Sequence, residues 1–269
     1  MLPSSSADSF LWPIFDSLYS RISSHNTASF AFIPGKTFLA TNSEVAVAIV
    51  SYYALIFGGQ ALMRNLIPMP LNRLFQLTNL FLTVISALLL LLFLEQLIPI
   101  FYSHGLLYAI CSDEAWTQEL LVLYYMNYLI KYVELLDTVF LVLKKKKLTF
   151  LHPYHHGTVI FLCYNQLRGR TSAVRLPTNT SDPKSWVVIV LNLAVHVLMY
   201  WYYFLSSRGI SVWWKKWVTR AQIIQFVIGA GTRPLAFISY LSCRLLCDLY
   251  TLCLHQMALA PTRRNLRNK

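Results

Sequence analysis

Long apolar runs restrict what this 269-residue chain can fold into. A helix needs about 20 mainly apolar residues to cross a hydrocarbon core roughly 30 Å thick. Runs of that length, or close to it, cover residues 45–63, 74–94, 120–143, 158 onwards, 186–205, 217–228 and 235–259, the last interrupted by Arg244 and Asp248. Because 56% of the residues are hydrophobic and only 13% are charged, we expect an all-α polytopic membrane protein with up to seven spans.

The formal net charge of +12 is concentrated between these runs. Basic residues cluster at 64–73, 144–147, 208–216 and 263–269. The segment 103–115 has none and carries Asp113 and Glu114, whereas 168–185 contains four basic residues and breaks the alternation. Positive residues favour cytosolic loops. The pattern therefore predicts a luminal N-terminus, a cytosolic C-terminus, and the lipid bilayer rather than nucleic acid as the partner of the basic segments.

Three regions follow from this pattern: an interfacial segment at 1–44, a transmembrane domain at 45–260 and a basic cytosolic tail at 261–269. No cleavable signal peptide is expected, because the first basic residue is Arg21. The five cysteines lack paired spacing, although Cys111 could bond to Cys243 or Cys247. Asn179 begins a glycosylation sequon.

Polar residues inside the third run share one helical face. Lys131, Glu134, Asp137 and Thr138 are spaced i, i+3, i+6 and i+7. An ionisable group at membrane depth costs roughly 2.5–3.5 kcal/mol on insertion scales. The group therefore indicates either a salt-bridge ladder between helices or part of a catalytic site, and the two roles are compatible.

Three histidines lie within about one turn of the next predicted helix. His152, His155 and His156 have the spacing i, i+3, i+4, and Pro153 suits the first turn of a helix. Such a group could ligate a metal or perform acyl chemistry. The alternative is an interfacial histidine-rich turn beside the lysines at 144–147.

Two further polar groups occur in later runs. Asn192, His196 and Tyr200 follow one another at intervals of four, which predicts an oriented, hydrogen-bonded imidazole facing a cavity. Thr219, Gln222 and Gln225 share a face of the next run. Their amides could grip carbonyl groups or bridge helices.

These four groups, in this order and spacing, resemble the motifs of the ELO family of fatty acid elongases. The matching stretches are Lys131-x-x-Glu134-x-x-Asp137-Thr138, His152-x-x-His155-His156, Asn192-x-x-x-His196-x-x-Met199-Tyr200 and Thr219-x-x-Gln222-x-x-Gln225-Phe226. The similarity extends more loosely back to residue 45. The stretch 196–226 is similar to fungal members that make very long saturated chains.

The resemblance implies a seven-helix protein of the endoplasmic reticulum, with six helices around an acyl tunnel. It implies a very-long-chain 3-oxoacyl-CoA synthase, which supplies sphingolipid precursors. This acyltransferase joins acyl-CoA and malonyl-CoA, giving 3-oxoacyl-CoA, CO2 and CoA, through an acyl-imidazole and without a metal or other cofactor. The implied partners are the ketoreductase, dehydratase and enoyl reductase of the cycle, and a homodimer is a further expectation.

The resemblance also implies roles for individual residues. His155 would be the nucleophile, and His196 the imidazole across the tunnel. Donors for the malonyl enolate would come from His152, His156, Asn192 and Gln222, which we leave unranked. Lys144 and Lys145 would steer CoA phosphates, although a plain positive-inside anchor explains them equally well. The other polar residues of the motifs are assigned to substrate binding or structure: Lys131, Glu134, Asp137, Thr138, Tyr200 and Gln225.

Two alternatives belong to other functional classes. A membrane di-iron hydroxylase or desaturase also uses His-x-x-His-His, but it needs around eight histidines and this chain has seven, three of them isolated. A transporter or receptor could use the buried charges, although only the helix count favours it. The segments 168–185 and 227–269 depart from the family pattern.

Overall fold

The computed structural model describes residues 9–23, 26–111, 117–146, 148, 151–171 and 185–225. This part of the chain is helical and contains no strands, which confirms the all-α prediction. The helices are α1 (Leu11–Ser23), α2 (Asn42–Met63), α3 (Asn72–Cys111), α4 (Gln118–Leu143), α5 (Leu151–Thr171) and α6 (Ser185–Ser207), with a 3-10 turn at Thr27–Ser29. Residues 215–225 are also helical. The sequon at Asn179, the cysteines at 243 and 247 and the segment 227–269 lie outside the described residues.

Side-chain caps explain where two of the long helices begin. The Thr41 hydroxyl accepts from the Glu44 backbone N–H, and the Glu44 carboxylate accepts from the Thr41 N–H at 2.9 Å. This capping box satisfies donors that have no partner within the helix. The hydroxyl of Thr117 caps α4 in the same way through the Leu120 N–H. Both helices therefore begin two or three residues before their apolar runs.

Helix α3 extends well beyond the apolar run at 74–94. It continues through Glu95 and contains Pro99, and the positive φ of 83° at Gly105 marks a kink. The 34 residues of Asn72–Gly105, up to the kink, would span about 51 Å at 1.5 Å per residue, well over the thickness of a hydrocarbon core. The apolar run therefore marks the portion at membrane depth, whereas the helix itself continues past the boundary.

The helices form a polytopic bundle, as the sequence predicts. Asn42–Met63, Asn72–Gly105 and Trp186–Ser207 are long and apolar enough to cross a bilayer. Helix α4 is also long enough, at about 39 Å, but carries four charged residues, all buried. It contacts α2, α3 and α5, while α6 packs along α3. The charges of α4 are thus held inside protein rather than in lipid.

Residues 30–40 pack into the core at the end of the bundle where α4 begins. Phe32 is 1% exposed and contacts the rings of Tyr125, Tyr128 and Tyr164. The Tyr128 hydroxyl donates to the Leu39 carbonyl at 3.0 Å. These contacts fix the approach to α2, and the domain boundary at residue 44 stays a prediction.

Candidate functional site

Four buried side chains form a closed hydrogen-bonded ring between α4 and α6. The ammonium of Lys131 donates to Oε1 of Glu134 at 2.8 Å and to Oδ1 of Asn192 at 2.7 Å. Nδ1 of His196 lies 3.0 Å from the same Glu134 oxygen, and Nε2 of His196 lies 3.1 Å from Nδ2 of Asn192. The ring therefore joins residues that are about 60 positions apart in the sequence.

The chemistry of these groups assigns the protons of the ring. An ionised Glu134 only accepts hydrogen bonds, so the Nδ1 of His196 must carry the hydrogen that faces it. The other ring nitrogen can then accept from the amide of Asn192, whose oxygen accepts from Lys131. Each of the four contacts in the ring therefore pairs one donor with one acceptor. The arrangement holds one tautomer of His196, with both nitrogens engaged.

The three histidines of the box lie on the first turns of α5 and contact one another. The rings of His152 and His156 are 4.7 Å apart, and those of His155 and His156 are 5.7 Å apart. Pro153 lies in the first turn of the helix, as predicted. Nε2 of His152 is buried and has no hydrogen-bond partner within the described residues. The box thus presents an unused polar atom to its surroundings.

The box and the ring are neighbours. His155 and His156 lie within electrostatic range of Glu134 and His196. The imidazole of His196 also contacts the phenol ring of Tyr200, whose centroid is 5.3 Å away in a nearly perpendicular plane. The fold therefore gathers residues from three of the four motifs into one buried region.

Comparison with known proteins identifies the family of the chain. The ELO model, described as the GNS1/SUR4 family, matches residues 37–259. The chain belongs to the ELO family. The match includes all four motifs and confirms the resemblance inferred from them.

Several named relatives are similar to this ELO chain. Putative fatty acid elongase 1 of Schizosaccharomyces pombe is 50% identical over 218 residues, which is 81% of this chain and 62% of the relative. Putative fatty acid elongase 2 of the same yeast is 47% identical, over 82% of this chain and 58% of the relative. Very long chain fatty acid elongase 2 of Mus musculus is 32% identical, covering 68% of this chain and 60% of the relative. The ELO chain thus spans about 60% of the length of these relatives.

Helix α2 contributes two residues to the ELO site that sequence reasoning missed. The Tyr52 hydroxyl bonds the Thr138 hydroxyl at 2.9 Å in a buried position. The next residue, Tyr53, covers Gly157, where an added Cβ would lie 2.3 Å from the tyrosine oxygen. Two features of the sequence could have indicated these residues: two adjacent tyrosine hydroxyl groups within an apolar run, and a glycine directly after the histidine box.

The lysines after α4 contact the start of α3 and the end of α2. The ammonium of Lys144 sits 4.1 Å above the ring of Phe75 on α3, and burial there lowers the pKa of the lysine. Lys145 donates to the Arg64 carbonyl at the end of α2 at 3.0 Å. Lys145 also lines a cavity of about 180 Å³, whose other walls are Gln60, Met63, Arg64, Val142 and Lys146. A role in steering CoA stays a prediction.

The fourth motif is connected to the site through a contact with helix α6. The side-chain amide of Gln222 donates to the sulfur of Met199 at 3.0 Å and so joins the segment 215–225 to α6. Thr219 is exposed and Gln225 is half-buried. Of the two alternatives for these amides, the observed contact is of the helix-bridging kind.

Metal ligation was an alternative for the histidine box. Within the described residues, no three side chains of His, Cys, Asp or Glu converge as metal ligands would. In the ELO ring, both nitrogens of His196 are already engaged by Glu134 and Asn192. The ring as arranged is suited to holding an imidazole by hydrogen bonds.

Proposed function

We propose that this ELO-family chain is the condensing enzyme of fatty acid elongation, joining a long-chain acyl-CoA with malonyl-CoA. The products are 3-oxoacyl-CoA, CO2 and CoA. The proposal is supported by relatives that are named fatty acid elongases and by the four motifs in family order.

One structural observation carries the chemical part of the proposal. The histidine box adjoins a ring in which Lys131, Glu134 and Asn192 hold His196 in one tautomer. A buried charge pair completed by further hydrogen bonds is a preorganised polar environment, which stabilises charge without reorganising during the reaction. This is what acyl transfer between thioesters requires in a site from which water is excluded.

The box residues supply the nucleophile. A ring nitrogen of His155 attacks the thioester carbonyl carbon, the C–S bond breaks, and the CoA thiolate leaves with the proton released by the imidazole. Malonyl-CoA then loses CO2, and the resulting enolate attacks the acyl-imidazole carbonyl. A C–C bond forms, the C–N bond breaks, and the departing imidazolate takes up a proton from water, which regenerates the neutral imidazole. His155 suits this role because it is half-buried, whereas His156 is 7% exposed and more enclosed.

The other site residues divide into two groups in this proposal. The buried Nε2 of His152 has no partner among the residues that the structure describes, which suits it to an enolate or thioester oxygen, and the ring of His156 contacts those of the other two histidines. His196 is a positioning residue, since both its nitrogens are engaged within the protein. Neither half-reaction needs a cofactor beyond the two CoA thioesters.

The proposal also includes the substrate length, the tunnel, the location and the partners that the resemblance to the ELO family implies. We include very long acyl chains as substrates, which makes the chain a very-long-chain 3-oxoacyl-CoA synthase, and a narrow tunnel between six of its helices. We also include an endoplasmic reticulum location with a luminal N-terminus, and association with the reductases and dehydratase of the elongation cycle. Lys144 and Lys145 would meet the CoA phosphates at the cytosolic end, where basic residues are concentrated.

The test measures labelled malonyl-CoA carbon incorporated into long acyl chains by membranes containing the protein. We expect incorporation by the unaltered chain, its loss in His155→Ala, and its retention in a matched histidine control, His104→Ala, outside the box. Equal product from His155→Ala and the unaltered chain would refute the nucleophile assignment. No product from a folded, membrane-inserted unaltered chain would refute the proposed activity.

A further inference from the structure

Helix α1 carries a row of exposed apolar side chains. Phe10, just before the helix, is 77% exposed, Ile14 53%, Leu18 54% and Ile22 86%. The spacing of four residues places them along one ridge of the helix. This helix lies outside residues 37–259, which the family model matches. The row therefore needs an explanation of its own.

The surface of α1 is divided into three sectors. One sector faces the protein, where Trp12 is buried and Phe15 and Tyr19 are partly buried. The ridge of exposed apolar residues forms the second. The third sector is polar and contains Ser17, which is exposed, and Ser20, which is half-buried. This division of the surface is the one expected of a helix that contacts protein, hydrocarbon and water at the same time.

Both ends of α1 are attached to the bundle at one level. At its start, the carboxylate of Glu95 on α3 accepts from three backbone N–H groups, those of Phe10 (2.6 Å), Leu11 (2.7 Å) and Trp12 (2.9 Å). Beyond its end, the side-chain amide of Gln118 on α4 donates to the carbonyl of Thr27 at 3.0 Å.

That level lies at the ends of the apolar runs of α3 and α4. Glu95 directly follows the apolar run 74–94 of α3, and Gln118 lies two residues before the run 120–143 of α4. The two helices are in register there, because the rings of Phe93 and Tyr124 are 5.7 Å apart. A helix attached at two such points lies along the membrane surface rather than across the membrane.

We propose that α1 is an interfacial helix that inserts the row of Phe10, Ile14, Leu18 and Ile22 into the lipid leaflet at this end of the bundle. The partner is the acyl and headgroup boundary of the bilayer, continuous with the lipid-facing surface of α3. Arg21 is exposed beside this row, and its long side chain can extend from there to lipid phosphates. Four apolar side chains make a patch smaller than the roughly 800 Å² per partner of a stable protein interface, so lipid accounts for the row better than a second copy.

The test places single nitroxide labels on the full-length chain, with its native cysteines replaced, in phosphatidylcholine vesicles. Labels at Leu18→Cys and Ile14→Cys are compared with the matched control Ser17→Cys, one residue away in the exposed polar sector. Power saturation then reports contact with oxygen, which concentrates in lipid, and with a water-soluble nickel chelate. A label at Phe15→Cys, which should be immobilised against the protein, checks that the background is folded.

We expect the ratio of oxygen contact to nickel contact to be several-fold higher at positions 14 and 18 than at position 17. Nickel contact that dominates at 17 and 18 alike would place the row in water and overturn the proposal. Immobile labels at 14 and 18 that neither reagent reaches would show that protein covers the row, and this too would overturn it.

Discussion

Replacement of Lys131 by methionine tests whether the ring between α4 and α6 holds the fold together. The change removes two hydrogen bonds, to Glu134 at 2.8 Å and to Asn192 at 2.7 Å, and leaves the Glu134 carboxylate without its cation. Removing one partner of a buried ion pair costs about 3–5 kcal/mol. We therefore expect Lys131→Met to lower the free energy of unfolding by about that amount.

The double variant Lys131→Met with Glu134→Gln should lose less. It removes both charges together, and the neutral amide introduced in place of the Glu134 carboxylate can still bond His196. The Asn192 oxygen is then left unpaired, which costs about 1–3 kcal/mol of stability. The charge left behind in the single variant thus accounts for about 2 kcal/mol of the difference. This comparison separates the cost of an unpaired charge from the cost of lost contacts.

The assay is reversible unfolding of the purified chain in mixed micelles, with helical content followed as denaturing detergent is added. Lys145→Met is the matched control, because this exposed lysine makes one bond to a carbonyl and its loss should change stability by less than about 0.5 kcal/mol. If the double variant is as unstable as Lys131→Met, or if Lys131→Met matches the control, the ring does not stabilise the fold through its charges.

Three further variants test single contacts. Tyr52→Phe should cost about 1 kcal/mol in the same unfolding assay, because it deletes the buried bond to Thr138; no loss would contradict that bond. Gly157→Ala should lower the melting temperature, because the added methyl group would clash with the Tyr53 oxygen, and adding Tyr53→Ala should recover part of the lost melting temperature. If the second change recovers nothing, Tyr53 is not the source of the clash. Glu95→Ala should speed hydrogen exchange in the first turn of α1 far more than Glu95→Gln, which keeps an acceptor; equal exchange would refute the cap.

Helical periodicity was sufficient to predict contacts within one helix. The spacing of Lys131 and Glu134 placed them on one face, and the structure joins them in an ion pair. The spacing of Asn192 and His196 likewise predicted an oriented imidazole, and the two side chains are 3.1 Å apart. Such pairs are local, so the rise and period of the helix alone bring them together.

Contacts between helices could not be predicted in this way. Nothing in the spacing indicates that His196 bonds Glu134, 62 positions away. Helical periodicity shows which residues share a face of one helix, but it does not show which other helix packs against that face. The contact of Lys144 with Phe75, 69 positions away on α3, was likewise not indicated by the sequence. Tyr52 was missed because a phenol in an apolar run is inconspicuous until a partner hydroxyl is opposite it.

In a lipid-embedded bundle the same polar residues must serve both assembly and chemistry. Apolar side chains gain little by leaving hydrocarbon for a protein interior, so hydrogen bonds between helices specify which helices meet. A polar motif alone cannot separate these two roles, but hydrogen-bond occupancy can. Lys131, Glu134, Asn192 and His196 satisfy one another in a closed ring, whereas a buried nitrogen of His152 has no partner within the described residues. Since leaving a buried polar atom unpaired costs free energy, this nitrogen on the histidine box is suited to receive a bond from outside the protein.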